Sequence, residues 1–282
     1  MSSIKGIKQR IANVSTTKQI MKAMDMVSTS KLQKARERLV NARPLFFETK
    51  RMVHQLKDCE KAKESIFIKQ RKVNKSAYVI ITSDKGLCGS YNVNIAQKAL
   101  RHMNEGKNEV ILVVGAKGYE FFRRRGKNIL HRIIDITETQ MYYDTGLLSE
   151  HVQSLYVSGE IDEVFIAYTR FESTLSYLPV VEKVLPISDG EENMRFDSEM
   201  TYEPDVHSFL EQAIPLYLHA CFFAAMSESV ACEHAARMVN MDSASKNATD
   251  IIDDLNRMYN RKRQAAITQE INEIVGGANI LK

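Results

Sequence analysis

Residues that interrupt helices are scarce at both ends of this 282-residue chain. From residue 208 to residue 278 there is one proline, Pro215, and no glycine before Gly276. The first 63 residues hold one glycine, Gly6, and one proline, Pro44. Because glycine and proline break helices, their scarcity predicts one long helix at each end, with a bend expected at each proline.

Several classes of site and segment are also missing from the sequence. The seven histidines form no ligand pair at i, i+4, and the cysteines lack the spacing of a zinc site. There is no uninterrupted apolar run of 18 residues and no apolar signal-peptide core. We therefore expect no metal, no cofactor, no membrane span and no secretion signal. The cysteines are expected to be reduced thiols: Cys59, Cys88, Cys221 and Cys232.

The clearest candidate for a ligand-binding loop is the glycine-bearing stretch 83–89. It follows a predicted strand, where α/β folds bind phosphate at the start of a helix. Its spacing matches neither G-x-G-x-x-G nor a P-loop. Asp84 and Cys88 have no nearby histidine that would make them part of a nucleophilic site. A tight strand-to-helix turn is favoured over a phosphate site, and no catalytic residue is predicted.

What the C-terminal stretch does contain is a heptad-like pattern. Apolar or small residues recur at steps of four and three, which is typical of a long helix with a narrow contact seam. Seventy such residues would span on the order of 100 Å. Many seam residues are small, so a slender pair of helices is expected. The main seam positions are Leu210, Ile214, Tyr217, Cys221, Ala224, Ala231, Ala235 and Met238.

The N-terminal stretch carries a similar pattern. Its apolar positions keep the three–four spacing at first and then continue after a phase shift. The economical solution is that this helix lies antiparallel to the C-terminal one. The positions before the shift are Ile4, Ile7, Ile11 and Val14, and those after it are Ile20, Met21, Met24, Val27, Leu32, Ala35 and Leu39.

Between the helical ends the hydrophobic period becomes strand-like. Short apolar runs rich in β-branched residues are typical of buried parallel strands, and helix-like segments separate them. This alternation predicts a doubly wound, Rossmann-like α/β domain. The expected strands are 77–82, 109–114, 129–136, 163–169 and an edge strand at 180–186, and the expected helices are 93–104, 116–125 and 145–157.

Charge is unevenly spread along the chain. Residues 1–63 hold 15 Lys and Arg against five Asp and Glu, a net of +10, while the whole chain is +4. Residues 189–205 carry seven acids against one arginine. This predicts an acidic partner for the first helix. Its lysines surround the helix and it has no aromatic residue before Phe46, which argues against nucleic acid.

Three groups of motifs follow one another along the chain. The first is IKGIKQRI at 4–11 with TKQIMKAMDMV at 17–27 and SKL at 30–32. The second is SDKGLCG at 83–89 followed by Tyr91 and Asn92. The third is SVACEHAARMVNMDSASKN at 229–247 with YNRKRQAAITQEI at 259–271. Together they resemble the ATP synthase gamma subunit family, and the resemblance covers essentially the whole chain.

The resemblance implies a non-catalytic rotor shaft. The terminal helices would form an asymmetric antiparallel coiled coil inside a ring of alpha and beta subunits, which make or hydrolyse ATP. Partners would be the alpha, beta and epsilon subunits and the membrane rotor (c) ring. The chain would be located peripherally, at the cytoplasmic face of a bacterial plasma membrane. A bacterial source is expected because there is no transit peptide.

The family also implies contact residues on this chain. Facing the beta subunits would be Lys22, Met24, Asp25, Arg263, Gln264, Thr268 and Glu270. Facing epsilon or the rotor ring would be Tyr202, Glu203 and Asp205. Lys85 departs from the arginine common in the family, so a guanidinium role is not expected there.

The predicted organisation is an N-terminal coiled-coil helix at 1–63, an α/β domain at 76–190 and a C-terminal coiled-coil helix at 208–282. The two helices are expected to form one unit with the α/β domain inserted between them. The alternative function is a coiled-coil adaptor with a nucleotide-binding α/β domain.

Overall fold

The computed structural model describes residues 4–57, 62–103, 108–187 and 205–280. Two helices dominate it, α1 (Ile4–Lys57) and, at the other end, α5 (Val206–Ile280). Both continue unbroken through their internal prolines, Pro44 and Pro215. The predicted long terminal helices are therefore confirmed.

The middle of the chain is a five-stranded sheet with helices on both faces. Its strands are β1 (Lys75–Ile81), β2 (Asn108–Val114), β3 (Ile129–Ile133), β4 (Glu163–Phe171) and β5 (Tyr177–Leu185). Its helices are α2 (Tyr91–His102), α3 (Ala116–Arg123) and α4 (Met141–Val157). The strand order is β3-β2-β1-β4-β5, with β5 antiparallel at one edge and the other pairings parallel. The predicted Rossmann-like domain and its fifth, edge strand are confirmed, and the antiparallel direction of that strand is an observation of the structure.

Alternation along β1 builds two separate cores. Tyr78 and Ile80 point to one face, where they pack with α2 and α3. Val79 and Ile81 point to the other face, where they join α4 and the adjoining parts of α1 and α5. This arrangement follows from the period of two in a strand that is buried on both faces.

By packing, the chain divides into two compact units. One is Met1–Thr29 with Arg237–Lys282, and the other is Ser30–Ala236. We call them the two-helix unit and the α/β unit. Each long helix thus contributes residues to both units. The predicted division of the chain into 1–63, 76–190 and 208–282 stays a prediction.

Within the α/β unit the two long helices run antiparallel. Arg43 of α1 pairs with Glu228 of α5. Seven residues further along α1, Lys50 acts electrostatically on Cys221, seven residues earlier on α5. In this unit α5 is buried on most sides, because Leu218 and Phe222, each one residue after a seam position, also pack into the sheet core. The expectation of a slender helix with one narrow seam is therefore wrong for this part of α5.

The seam of α1 also differs from the predicted one. Ile20 and Val27 are 55% and 57% exposed, so they do not belong to it. The seam instead contains half-buried Lys18 and buried Ser28, which continue the three–four spacing without a phase shift. A small polar residue and the aliphatic stem of a lysine can occupy a seam, so hydrophobicity alone misplaced the phase.

One helix of the described residues, Val206–Val275 within α5, is long and apolar enough to cross a membrane by length and composition alone. Of its most apolar window, 61% is buried inside the protein, and the core helix of a soluble protein passes the same test. A window of high mean hydropathy can include polar residues, so α5 passes this test although the sequence has no long uninterrupted apolar run.

Candidate functional site

The surface of the two-helix unit is the first candidate site. Its buried seam is thin and includes Ile7, Ser28, Met241, Ala248 and Leu255. Most of its other side chains are exposed, among them Ile20, Met26 and Val27. A helix pair that leaves aliphatic side chains in water has surface to bury against another molecule.

The first predicted contact group lies on α1 of this unit. Lys22 is exposed, while Met24 and Asp25 are half-buried. The pKa of Lys246 on α5 is raised, mainly by its hydrogen bond and attraction to Asp242 and to a lesser extent by Asp25. Asp25 is therefore turned partly toward the partner helix, and Lys22 is the more accessible of the two charges.

The second predicted contact group lies on α5 and is fully exposed: Arg263, Gln264, Thr268 and Glu270. The Thr268 hydroxyl donates to the carbonyl of Gln264 one turn earlier. Arg263 follows Lys246 by 17 residues, which is about 25 Å along a helix. The structure therefore does not bring the two groups together, and they form separate surfaces on one helix pair.

The third predicted group, for epsilon or the rotor ring, is only partly described. Tyr202 and Glu203 lie outside the described residues. Asp205 is exposed and caps α5, because its carboxylate accepts hydrogen bonds from the backbone N–H of His207 and Ser208. Those bonds, led by the ones from Ser208, hold the pKa of Asp205 below its usual value. Asp205 therefore has a local structural role, whatever it contacts besides.

The loop after β1 is closed by its own side chains. Asp84 accepts a hydrogen bond from the backbone N–H of Ala116 at the start of α3 (2.9 Å) and another from that of Asp135 (3.0 Å). This carboxylate lies at the N-terminus of α3, whereas the helix that directly follows the loop is α2. Leu87 and Gly89 adopt positive φ, as a tight turn requires. This supports the turn rather than the phosphate site.

The crevice between β1 and β4, where strand order reverses, is also filled. Ligands of open α/β sheets bind at such a switch point. Here the Tyr91 hydroxyl donates to the carbonyl of Ser229 on α5, and the Thr169 N–H donates to the Ser229 hydroxyl. The thiol of Cys232 contacts the Thr169 carbonyl. Helix α5 is thus bonded directly to residues at this switch point.

Beside this crevice, one ion pair ties both long helices to the sheet. Arg43 donates through Nε to Glu228 (3.2 Å) and through Nη2 to the carbonyl of Phe171 (2.9 Å). The Phe171 N–H donates to the other oxygen of Glu228 (2.9 Å). We call this set of bonds the Arg43–Glu228 clamp. It joins α1, α5 and β4 around one residue, Phe171.

The clamp was not among the predicted sites, although a signal for it exists. Glu228 is the one formally charged residue between Glu211 and Glu233, in a stretch made mostly of apolar and small residues. A lone acid in such a stretch usually has a buried partner. No comparable signal in the sequence identifies that partner as Arg43.

The three described cysteines, Cys88, Cys221 and Cys232, are buried free thiols, and Cys59 lies outside the described residues. Burial raises the pKa of Cys221 to about 12 and that of Cys232 further. Thiols held protonated are poor nucleophiles. Within the described ranges no three His, Cys, Asp or Glu side chains form a group that could hold a metal ion.

Comparison with known proteins agrees with this architecture. A family model described as ATP synthase matches residues 3–281. The ATP synthase gamma chain of Alkaliphilus metalliredigens is 39% identical over 282 residues, covering 98% of each chain. The sodium ion specific ATP synthase gamma chain of Acetobacterium woodii is 38% identical over 298 residues, covering 99% of each.

Two solved structures have the same fold. A chain of the central stalk and c-ring of Tetrahymena thermophila mitochondrial ATP synthase superposes with a TM-score of 0.65 at 25% identity, covering 80% of this chain and 99% of that one. A chain of the Euglena gracilis mitochondrial ATP synthase has a TM-score of 0.73 at 19% identity, covering 99% and 94%. With long paired helices, an inserted α/β domain and these relatives, the chain belongs to the ATP synthase gamma chain family.

Proposed function

We propose that this chain is the central rotor shaft of an F-type ATP synthase, which couples ion flow through a membrane ring to ATP synthesis or hydrolysis on the alpha and beta subunits. The chain itself makes and breaks no bond. The observation that carries the proposal is the two-helix unit, in which two helices have each other as partners and expose the rest of their surface.

The end of α5 supports a partner that encloses it. Aliphatic side chains are exposed there at helical spacing, and they form one stripe: Ile267, Ile271, Ile274 and Val275. Exposing such a stripe costs roughly 25 cal/mol per Å² of apolar surface, which a surrounding apolar sleeve would recover. Contacts made by smooth aliphatic surface have no fixed partner atoms, so they oppose rotation little.

The charges of α1 support the same partner class. The net +10 of residues 1–63 acts over about 10 Å at moderate salt and does not depend on one geometry. A turning helix can therefore be attracted by successive acidic loops without locking to any of them. On this basis Lys22, Met24 and Asp25 contact the beta subunits, and Arg263, Gln264, Thr268 and Glu270 form a second contact with beta.

Tyr202, Glu203 and Asp205 are proposed to contact the epsilon subunit or the c-ring. The complex is attached to a membrane, and we place this chain peripherally at the cytoplasmic face of a bacterial plasma membrane.

The closed loop at Asp84 and the filled crevice at Ser229 support a scaffold role for the α/β domain rather than a nucleotide site.

A photo-crosslinking experiment tests the shaft. A photoreactive phenylalanine analogue is placed at Lys22, and at Leu175 on the β4–β5 turn as the control, in the assembled complex. Position 22 should crosslink to the beta subunit, and position 175 should not. If position 22 crosslinked to neither the alpha nor the beta subunit, the proposed contact of Lys22 with beta would be contradicted.

The isolated chain provides the second test. It should show no ATPase activity, and calorimetry with ATP, GTP and NAD should show no micromolar binding. Micromolar binding would favour the adaptor with a nucleotide-binding domain, and hydrolysis by the chain alone would overturn the shaft.

A further inference from the structure

A cluster of basic side chains lies at the edge of the sheet, on the end of α3, the turn that follows it and the edge strand β3. It consists of Arg123, Arg124, Arg125, Lys127 and Arg132, and we call it the basic edge. Residues 116–133 hold six Lys and Arg against one acid, Glu120. Beyond residue 63 the chain as a whole is net negative, so the basic edge stands apart from the charge of its surroundings.

The fold draws these cations together. The guanidinium carbons of Arg123 on α3 and Arg132 on β3 lie 5.4 and 4.8 Å from the centroid of the Tyr119 ring. The two groups are therefore within about 10 Å of each other. Arg125 lies 3.6 Å from the centroid of Phe121 and donates to that residue's carbonyl. Stacking on rings orients the arginines while leaving donors free.

The arginines of the basic edge are not neutralised. Lys127 pairs with Glu109, and the neighbouring Lys117 pairs with Glu120. In the part of the chain that the structure describes, Arg123, Arg124, Arg125 and Arg132 form no ion pair, and all four are exposed. Four unpaired guanidinium groups on one surface attract an anion, and their fork geometry suits phosphate oxygens.

Apolar side chains accompany the charges. Leu130 precedes Arg132 by two residues on β3 and is 44% exposed. The pairing of β3 with β2 is irregular between Ile129 and His131, so Leu130 lies at a β-bulge near the start of this edge strand. Ile134, directly after β3, is 43% exposed. Basic, aromatic and aliphatic side chains on one surface are the combination found at the lipid interface of peripheral proteins.

We propose that the basic edge binds an anionic phospholipid surface. The family is that of a membrane-bound complex, and phosphodiester head groups match the unpaired guanidinium groups. Exposed aliphatic side chains between the cations favour lipid over an acidic protein segment or nucleic acid, neither of which would cover them as well. Because lipids diffuse, such a surface attracts without fixed sites. The inference goes beyond the proposed shaft and does not depend on it.

The test uses tryptophan as a reporter, because the chain contains none. Leu130→Trp places the probe at the basic edge. Leu175→Trp places it on the β4–β5 turn, at a side chain that is 80% exposed and belongs to the same unit. The full chain is mixed with vesicles of phosphatidylcholine, or of phosphatidylcholine with phosphatidylglycerol carrying brominated acyl chains, and emission is recorded.

The Leu130→Trp chain should shift to the blue and be quenched by the anionic vesicles alone, and the Leu175→Trp chain should not respond. Adding Arg123→Gln, Arg124→Gln and Arg132→Gln should weaken the Leu130→Trp response roughly fivefold for each guanidinium removed, or about 100-fold. Removing equal charge from α1, with Lys5→Gln, Lys8→Gln and Arg10→Gln, should leave the response at position 130 in place.

Three results would overturn the proposal. They are quenching at position 175 as strong as at 130, a response unchanged by loss of the three arginines, and no response to anionic vesicles. A response of Leu130→Trp to poly-glutamate or to an oligonucleotide, without one to vesicles, would assign the basic edge to a protein or nucleic-acid partner instead.

Discussion

At the scale of single residues, the turn after β2 depends on Gly115. Its φ is +94°, and a Cβ there would collide with the backbone carbonyl of Thr82, the residue directly after β1. Gly118, in the first turn of α3, is equally confined by the Thr82 hydroxyl, which accepts its N–H at 2.9 Å. Glycine at these positions lets α3 approach the sheet, so that Asp84 can reach its first N–H.

The pair Gly115→Ala and Gly126→Ala separates collision from backbone conformation. Gly126 also has a positive φ of +65°, but a Cβ there would meet nothing within 4 Å. We expect Gly126→Ala to lower the free energy of unfolding by about 1 kcal/mol and Gly115→Ala by roughly 3 kcal/mol. Urea denaturation measures both. Equal losses would mean that the contact with Thr82 relaxes without cost.

The Arg43–Glu228 clamp predicts a pH-dependent loss of stability. Burial raises the pKa of Glu228, while the Phe171 N–H and the Arg43 guanidinium oppose that rise. Arg43→Leu removes one of the opposing groups, so the pKa should rise further. With Glu228 ionised, the variant should be less stable by about 2 kcal/mol, less than for a fully buried pair because Arg43 is 40% exposed.

The direction of the pH effect follows from the raised pKa. A carboxyl that holds its proton more tightly when folded contributes stability below the unfolded-state pKa of about 4, and that stability is lost as pH rises through the folded-state pKa. The deficit of Arg43→Leu should therefore shrink toward pH 4. Denaturation midpoints of the parent and of Arg43→Leu, compared at a series of pH values down to pH 4, measure this deficit. Adding Glu228→Gln is the control and should abolish the pH dependence of the difference.

At the scale of elements, the sequence was sufficient for all five strands and both long helices, because each has a distinct hydrophobic period. It was insufficient for the phase of α1, where Lys18 and Ser28 occupy the seam and Ile20 and Val27 do not. It also could not foresee that α5 fills the crevice of the sheet. That outcome depends on Ser229 and Tyr91, which are 138 residues apart and give no local signal.

The cap of α5 offers a prediction at this scale. Asp205→Ala removes the acceptor for two backbone N–H groups and should lower the thermal stability of the α/β unit, whereas Asp205→Asn keeps an acceptor and should lower it less. The lowered pKa of Asp205 means that its contribution is present above the unfolded-state pKa and is lost as pH falls through the folded-state value. Calorimetric melting of the three chains measures this.

The same pair of variants separates the cap from the proposed partner contact. If Asp205→Asn melts like the parent yet assembles poorly with epsilon and the c-ring, the charge acts on a partner. If assembly follows melting temperature, the role of Asp205 is the cap alone.

At the scale of the whole molecule, the two units should differ in local stability. The seam of the two-helix unit is thin, whereas the α/β unit holds two apolar cores around its sheet. Few buried apolar side chains mean low free energies of local opening. Hydrogen exchange of the full chain should therefore be faster in residues 8–29 and 241–270 than in β1 and β2.

Assembly supplies the complementary measurement. If the alpha and beta subunits enclose the two-helix unit, exchange in residues 8–29 and 241–270 should slow markedly in the complex while β1 and β2 change little. Exchange in the free chain that is equally slow in both units would contradict the assignment of the thin seam as the weaker packing.

The carboxylate of Asp84 at the start of α3 has a wider consequence. A phosphate entering there would compete with a group that is tethered to the chain and so is never diluted. A side chain of the chain itself thereby occupies the start of α3 in place of a free phosphate. A shaft whose stiffness did not depend on the cellular ATP concentration would transmit the same torque when ATP is scarce as when it is abundant.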